Sequence, residues 1–104
     1  MTHHIELYIT ISNSGDPYKC DIINKKSVWK CTLYQENFRY EVIKDSNLTG
    51  CFEKIAAYLD SLGYVTKIEG NHKADMYIAI LQSHLMIIRS NRTLNKNHGQ
   101  DGVA

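Results

Sequence analysis

The chain has 104 residues, of which 43% are hydrophobic and 22% are charged, and its formal net charge is +1 at pH 7. This composition is typical of one small globular domain with a buried core and excludes the intrinsically disordered class. A nearly neutral charge argues against a protein whose whole surface binds nucleic acid. The longest apolar runs fall far short of the roughly 18 residues that a membrane span needs, so we expect no membrane partner.

The N-terminus and the cysteines indicate the compartment. Met1 is followed almost at once by an alternating strand pattern, which leaves no room for a secretory signal. The three cysteines are an odd number and form no CxxC motif. The sequence therefore predicts a reducing, cytoplasmic setting.

Apolar and polar residues alternate through the first 43 residues and predict four strands. The first strand covers His4–Ile11 and is followed by a segment rich in turn-forming residues at 12–17. Two-residue turns are predicted at Lys25-Lys26 and Gln35-Glu36. The other three strands are then about Tyr18–Ile23, Val28–Tyr34 and Phe38–Ile43.

Pairing these strands as neighbours places most apolar side chains on one face. The predicted apolar rows are Ile9, Cys20, Cys31, Tyr40; Leu7, Ile22, Trp29, Val42; and Ile11, Tyr18, Leu33, Phe38. The opposite face carries Thr10, Lys19, Thr32, Arg39 and then Tyr8, Asp21, Lys30, Glu41. A slip of one residue would reverse the faces, so the agreement supports an antiparallel meander. In this register Lys30 lies between Asp21 and Glu41.

A helix follows the fourth strand. Asn47 is a favourable N-cap, and apolar residues then recur at spacings of four and three up to Leu62, where Gly63 is placed for a left-handed C-cap. We expect this amphipathic helix to pack on the apolar face of the sheet. The apolar positions are Leu48, Phe52, Ile55, Leu59 and Leu62.

After Gly63 the sequence pattern allows more than one assignment of secondary structure. Tyr64–Glu69 alternates as a fifth strand, whereas residues 76–89 could form a hairpin around Gln82–His84 or one buried helix. Isoleucine and tyrosine content favours the hairpin. The predicted fold is α+β: a four-stranded antiparallel meander with one amphipathic helix on its apolar face, followed by two or three further strands. Residues 1–89 form the domain, and 90–104 form a flexible basic C-terminal tail.

The sequence contains no recognisable catalytic or cofactor motif. Cys20 and Cys31 lie directly opposite each other in the predicted register, where they suit core packing better than a redox pair or half of a metal site. Neither HExxH nor a glycine-rich nucleotide loop occurs. We therefore expect no catalytic residues, no metal and no cofactor. A hydrolase or nuclease that uses Cys51 with His72 or His84 is a less favoured alternative.

Two features predict a partner surface. The polar face of the sheet offers the aromatic and basic side chains of Tyr8, Lys19, Lys30 and Arg39, and the C-terminal segment adds Arg89 and Arg92. At the end of the same face, Ile23, Val28 and Ile43 are predicted to form an apolar patch. This patch would contact another chain or lie under the C-terminal hairpin.

These features, the small size and the absence of motifs favour a non-enzymatic protein-binding module. We expect a small inhibitor or immunity-type protein that masks a surface of a larger protein or ribonucleoprotein complex. Toxin immunity and phage or plasmid counter-defence, of the anti-CRISPR kind, are roles of this type. The alternative is a nucleic-acid-binding module that uses the same face and the basic tail. A homodimer through a sheet edge stays open.

Overall fold

Five strands and two helices build the chain in the computed structural model, which describes residues 3–12, 15–36, 38–71 and 73–103, and side chains only between residues 4 and 92. The strands form one antiparallel sheet in the order β4-β3-β2-β1-β5. The α+β class and the meander of the first four strands are thus confirmed. The elements are β1 His3–Ile11, β2 Tyr18–Lys25, β3 Val28–Gln35, β4 Phe38–Asp45, α1 Leu48–Leu62, β5 Val65–Gly70 and α2 Asp75–Val103.

The hairpin turn between β2 and β3 lies one residue later than predicted. Lys26 and Ser27 both have positive φ, 52° and 63°, and Lys25 pairs with Val28 across them. Two positive φ values are typical of the type I′ turn, whose twist matches that of the strands it joins. Moving a turn by one residue moves the pairing by two, so every side chain of β2 and β3 keeps its predicted face.

A β-bulge in β4 overturns the predicted register of the last hairpin. Tyr34 pairs with Arg39 but Leu33 pairs with Glu41, so Tyr40 is the extra residue. Beyond the bulge the faces of β4 are exchanged. Ile43 is 9% exposed and lies in the core opposite Cys31, whereas Val42 lies on the other face. The predicted inward position of Val42 and outward position of Ile43 were therefore wrong.

Helix α1 begins and ends as its sequence predicts. The Asn47 side chain accepts a hydrogen bond from the Gly50 N–H at 2.9 Å, and Phe52, Ile55 and Leu59 are fully buried. Gly63 does not form the predicted left-handed cap, since its φ is 152°. A Cβ at Gly63 would lie 2.7 Å from Ile11 Cγ2, so glycine is needed there for close packing as well as for its φ.

Residues 75–103 form helix α2, so the predicted hairpin at 76–89 was wrong, and in the described part of the chain a single strand follows α1. Residues 90–103 continue the same helix; a boundary between domain and tail at residue 90 stays a prediction. Among the described residues, no helix has the length and apolar character required to cross a membrane. The side chains that α2 turns inward recur at helical spacing: Ile78, Leu81, Leu85 and Ile88.

Both helices pack on the same face of the sheet. Helix α1 contacts β3 and β4, and α2 contacts α1 and β5. The Tyr77 ring of α2 lies 6.2 Å from that of Trp29 on β3 and 6.0 Å from that of Phe52 on α1, measured between centroids. All the apolar burial is therefore on one side, and the opposite side of the sheet is left to solvent by the described elements.

Candidate binding surface on the open side of the sheet

The outer face, as we call the side of the sheet that faces away from both helices, is built by strand alternation. Because successive side chains point to opposite sides, β1, β2 and β3 contribute alternate residues to this surface, and β4 contributes Arg39 before its bulge and Val42 and Lys44 after it. In cross-strand order the rows read Lys44, Lys30, Ile23, His4; then Val42, Thr32, Asp21, Glu6; then Arg39, Tyr34, Lys19, Tyr8, Glu69.

Charge is segregated on the outer face. Lys30 and Lys44 form one row on β3 and β4, Arg39 lies two rows away on β4, and we call these three the cationic corner; within residues 4–92 none of them forms an ion pair through its side chain. Lys30 lies directly opposite Lys44, an arrangement that costs stability because like charges repel across strands. A surface that keeps such a pair exposed is suited to a partner with negative charge.

The other half of the outer face holds an ionic network. Glu6 accepts a hydrogen bond from the Tyr8 hydroxyl at 3.3 Å and lies 3.5 Å from the Lys19 ammonium. The imidazole of His4 contacts the Asp21 carboxylate, and its Nε2 is 3.9 Å from Glu6 Oε1. The face therefore has a cationic half and a half of mixed charge.

The structure brings Tyr8, Lys19, Lys30 and Arg39 onto one face, as the alternation predicted. The predicted position of Lys30 between two carboxylates was wrong: its neighbours across the strands are Ile23 and Lys44. Ile43 is missing from the predicted apolar patch because it is buried, and the segment that was predicted to cover Ile23 as a hairpin forms helix α2 on the other side of the sheet.

The two predicted arginines of the C-terminal segment lie on the helix side, away from the outer face. The Arg89 guanidinium lies 4.0 Å from the centre of the Tyr64 ring and donates to the Val65 carbonyl at 2.9 Å. Arg92 forms an ion pair with Asp60 of α1. Both side chains join α2 to its neighbours, so the structure does not place them with the other predicted contact residues.

Tyr34 and Lys44 are two outer-face residues that the predicted register did not place there. Tyr34 alternates with Thr32, and this spacing alone could have placed it there. Lys44 could not be assigned from alternation, because only the bulge at Tyr40 brings it beside Lys30.

No family model, curated protein or solved structure matches this chain. The function must therefore be inferred from the surface itself.

The cysteines are core residues with free thiols. Cys20, Cys31 and Cys51 are all 0% exposed. Cys20 lies opposite Leu33 and Cys31 opposite Ile22, so the predicted direct pairing of the two cysteines was wrong; they are diagonal neighbours. A hydrogen bond with Cys20, together with burial, raises the pKa of the Cys31 thiol far above its ordinary range.

Burial also raises the pKa of Cys51 to about 12. A reactive cysteine needs an accessible thiolate, and this one is buried and protonated at neutral pH. His84 is half-buried on α2, and His72 lies outside the described residues. The geometry of Cys51 therefore gives no support to its predicted alternative role as a nucleophile.

This arrangement predicts slow thiol labelling. At pH 8 we expect a disulfide reagent to modify Cys51 in the folded protein roughly a thousandfold more slowly than in denaturant, because the thiolate fraction falls with the raised pKa. Time-resolved labelling followed by peptide mass analysis measures the rate for each cysteine. Equal rates in folded and denatured protein would contradict the buried, protonated thiol.

Proposed function

We propose that the protein is a non-enzymatic binding module that masks part of a larger protein or ribonucleoprotein complex with its outer face. One observation carries the proposal: no described element covers this face, although it presents Tyr8, Tyr34 and Val42 among charged side chains. Tyrosine and arginine are enriched where proteins meet, because they combine apolar area with hydrogen bonding. A role in toxin immunity or counter-defence is consistent with such masking.

The mixture of charges favours a protein surface over a bare nucleic acid. Glu6, Asp21 and Glu69 share the face with the basic residues, and carboxylates repel a phosphate backbone. A protein partner can match both halves, with acidic groups over the cationic corner and basic groups over Glu6. We place the protein in the reducing cytoplasm, which is supported by its free thiols.

A specific observation also favours the second candidate, a nucleic-acid-binding module. Tyr34 lies between Arg39 and Lys19 across the strands, and an aromatic ring flanked by cations is a common platform for an unpaired base. Binding of this kind would weaken steeply with salt, because phosphate contacts release counterions.

A photo-crosslinking amino acid placed on each side of the molecule tests the proposal. We expect p-benzoylphenylalanine at Tyr34 to join the protein to one dominant larger polypeptide in the native host. The same group at Ser83, which is exposed on the helix side, should not. Mass analysis of the products before and after nuclease treatment distinguishes the candidates. Identical products from both positions would contradict docking through the outer face, and products lost with nuclease would favour the second candidate.

A homodimer through a sheet edge stays a prediction. The edge strands are β4 and β5, and each carries a bulge, a feature that discourages edge-to-edge pairing.

A further inference from the structure

Three potential metal ligands converge at the start of β1. His4 and Glu6 are two residues apart on one strand, so both point to the outer face, and Asp21 of β2 is directly opposite Glu6. The imidazole nitrogen and the two carboxylate oxygens all lie within 4.8 Å of one another. The backbone pairing itself, and not a flexible loop, places these atoms together.

The two carboxylates lie where a nearby cation would reduce their mutual repulsion. Like charges directly opposite each other across strands are destabilising, and Glu6 and Asp21 are such a pair. The apoprotein can offset this repulsion through Lys19, 3.5 Å from Glu6, and through the imidazole of His4 beside Asp21. A divalent cation would offset it more fully, since it would bind both carboxylates at once.

We propose that His4, Glu6 and Asp21 form a binding site for a divalent transition metal such as Zn²⁺. One imidazole nitrogen with two carboxylate oxygens is a donor set that suits zinc and excludes the soft, thiolate-preferring metals. Three protein ligands leave the remaining coordination positions on the exposed side. Water or an anionic group of a partner completes the coordination there. Zinc binding at this site does not depend on the proposed function.

Two existing contacts compete with the metal. The Lys19 ammonium forms an ion pair with the Glu6 carboxylate. This ion pair must break when the metal binds, and its loss lowers the affinity for the metal. The His4 imidazole and the Asp21 carboxylate contact each other and must exchange that contact for bonds to the metal. Removal of Lys19 should therefore tighten zinc binding, because the metal then has no ion pair to displace from Glu6.

Isothermal titration of the purified full chain with zinc chloride alone tests the site. One zinc per chain is expected, with affinity lowered at least roughly tenfold by each of His4→Gln, Glu6→Gln and Asp21→Asn. Lys19→Met should raise the affinity, and thermal unfolding of each variant without zinc verifies that it folds.

His3→Gln is the matched control, because a zinc site made by the N-terminus would need His3 as much as His4. The zinc affinity of the His3→Gln variant should equal that of the unaltered protein. The proposal is overturned by absence of zinc binding, by binding that Asp21→Asn leaves unchanged, by weaker binding in Lys19→Met, or by equal losses in His3→Gln and His4→Gln.

Discussion

Alanine in place of Ile43 is expected to lower the free energy of unfolding by about 2–3 kcal/mol. Ile43 is 9% exposed and packs in the core opposite Cys31. Its truncation removes buried methyl groups and leaves a cavity, a change that costs about 2–5 kcal/mol in fully buried positions. For a domain of this size the melting temperature should fall by about 10–20 °C. Urea denaturation with circular dichroism measures the change.

Val42→Ala is the matched control, since it truncates the neighbouring residue of the same strand. Val42 lies on the outer face and is only half-buried, so its loss should cost less than about 1 kcal/mol. A register without the bulge predicts the opposite ranking, with Val42 in the core and Ile43 outside. If Val42→Ala proves the more destabilising of the two, the bulge at Tyr40 is misplaced.

Ile43 and Val42 show how far the alternation of apolar and polar residues predicts which face of a sheet a side chain occupies. The hairpin turn at Lys26-Ser27 differs from the predicted one by a single residue, and the resulting shift of two leaves each side chain on its predicted face. The extra residue of a β-bulge has a different effect, because every later side chain of that strand then points to the opposite face. The Tyr40 ring contacts that of Tyr18 on β2, with 5.4 Å between centroids, and a contact between residues this far apart in the chain gives no local sequence signal for the bulge.

The apolar pattern of helix α2 allows both a hairpin and a helix. Its inward side chains, Ile78, Leu81, Leu85 and Ile88, recur at helical spacing, but they lie within two continuous apolar runs, 76–81 and 85–88, where periodicity does not separate a strand from a buried helix. The predicted hairpin relied instead on the isoleucine and tyrosine content of 76–89. β-Propensity is a weak guide where a segment packs against other elements, because packing decides the outcome.

The candidate binding surface was predictable in part. Tyr8, Lys19, Lys30 and Arg39 share a face through alternation alone. Which residues lie beside them depends on the strand register. The sequence therefore could not show how charge is distributed on the face, because Lys44 lies beside Lys30 only after the pairing moves by two residues and the bulge adds one more. The roles of Arg89 and Arg92 depend on α2 and on contacts more than twenty residues away in the chain.

Reversal of charge in the cationic corner is expected to weaken partner binding by roughly a hundredfold. The variant Lys30→Glu with Arg39→Glu replaces attraction with repulsion at two exposed positions that lie outside the core. Like-charge contacts across an interface cost several kcal/mol, and about 1.4 kcal/mol corresponds to a factor of ten. Affinity for the partner identified by crosslinking can be measured by surface plasmon resonance at two salt concentrations.

The control carries the same change of net charge on the helix side. Lys73→Glu combined with Gln82→Glu and Ser83→Glu also lowers the net charge by four, at three exposed positions. Its affinity should stay within a fewfold of the unaltered protein, because contacts made by one surface depend on local charge. Equal losses in both variants would show a general electrostatic effect and would contradict docking through the cationic corner.

The single variant Lys30→Glu separates binding from folding. Glutamate at position 30 faces Lys44 across the strands, so a repulsive pair becomes an attractive one and stability should rise by about 0.2–1 kcal/mol. Affinity for the partner should nevertheless fall, since the cationic corner loses its central charge. Because loss of stability cannot explain weaker binding in a variant that is more stable, this result would assign Lys30 to the interface. Unchanged affinity in the stabilised variant would exclude Lys30 from it.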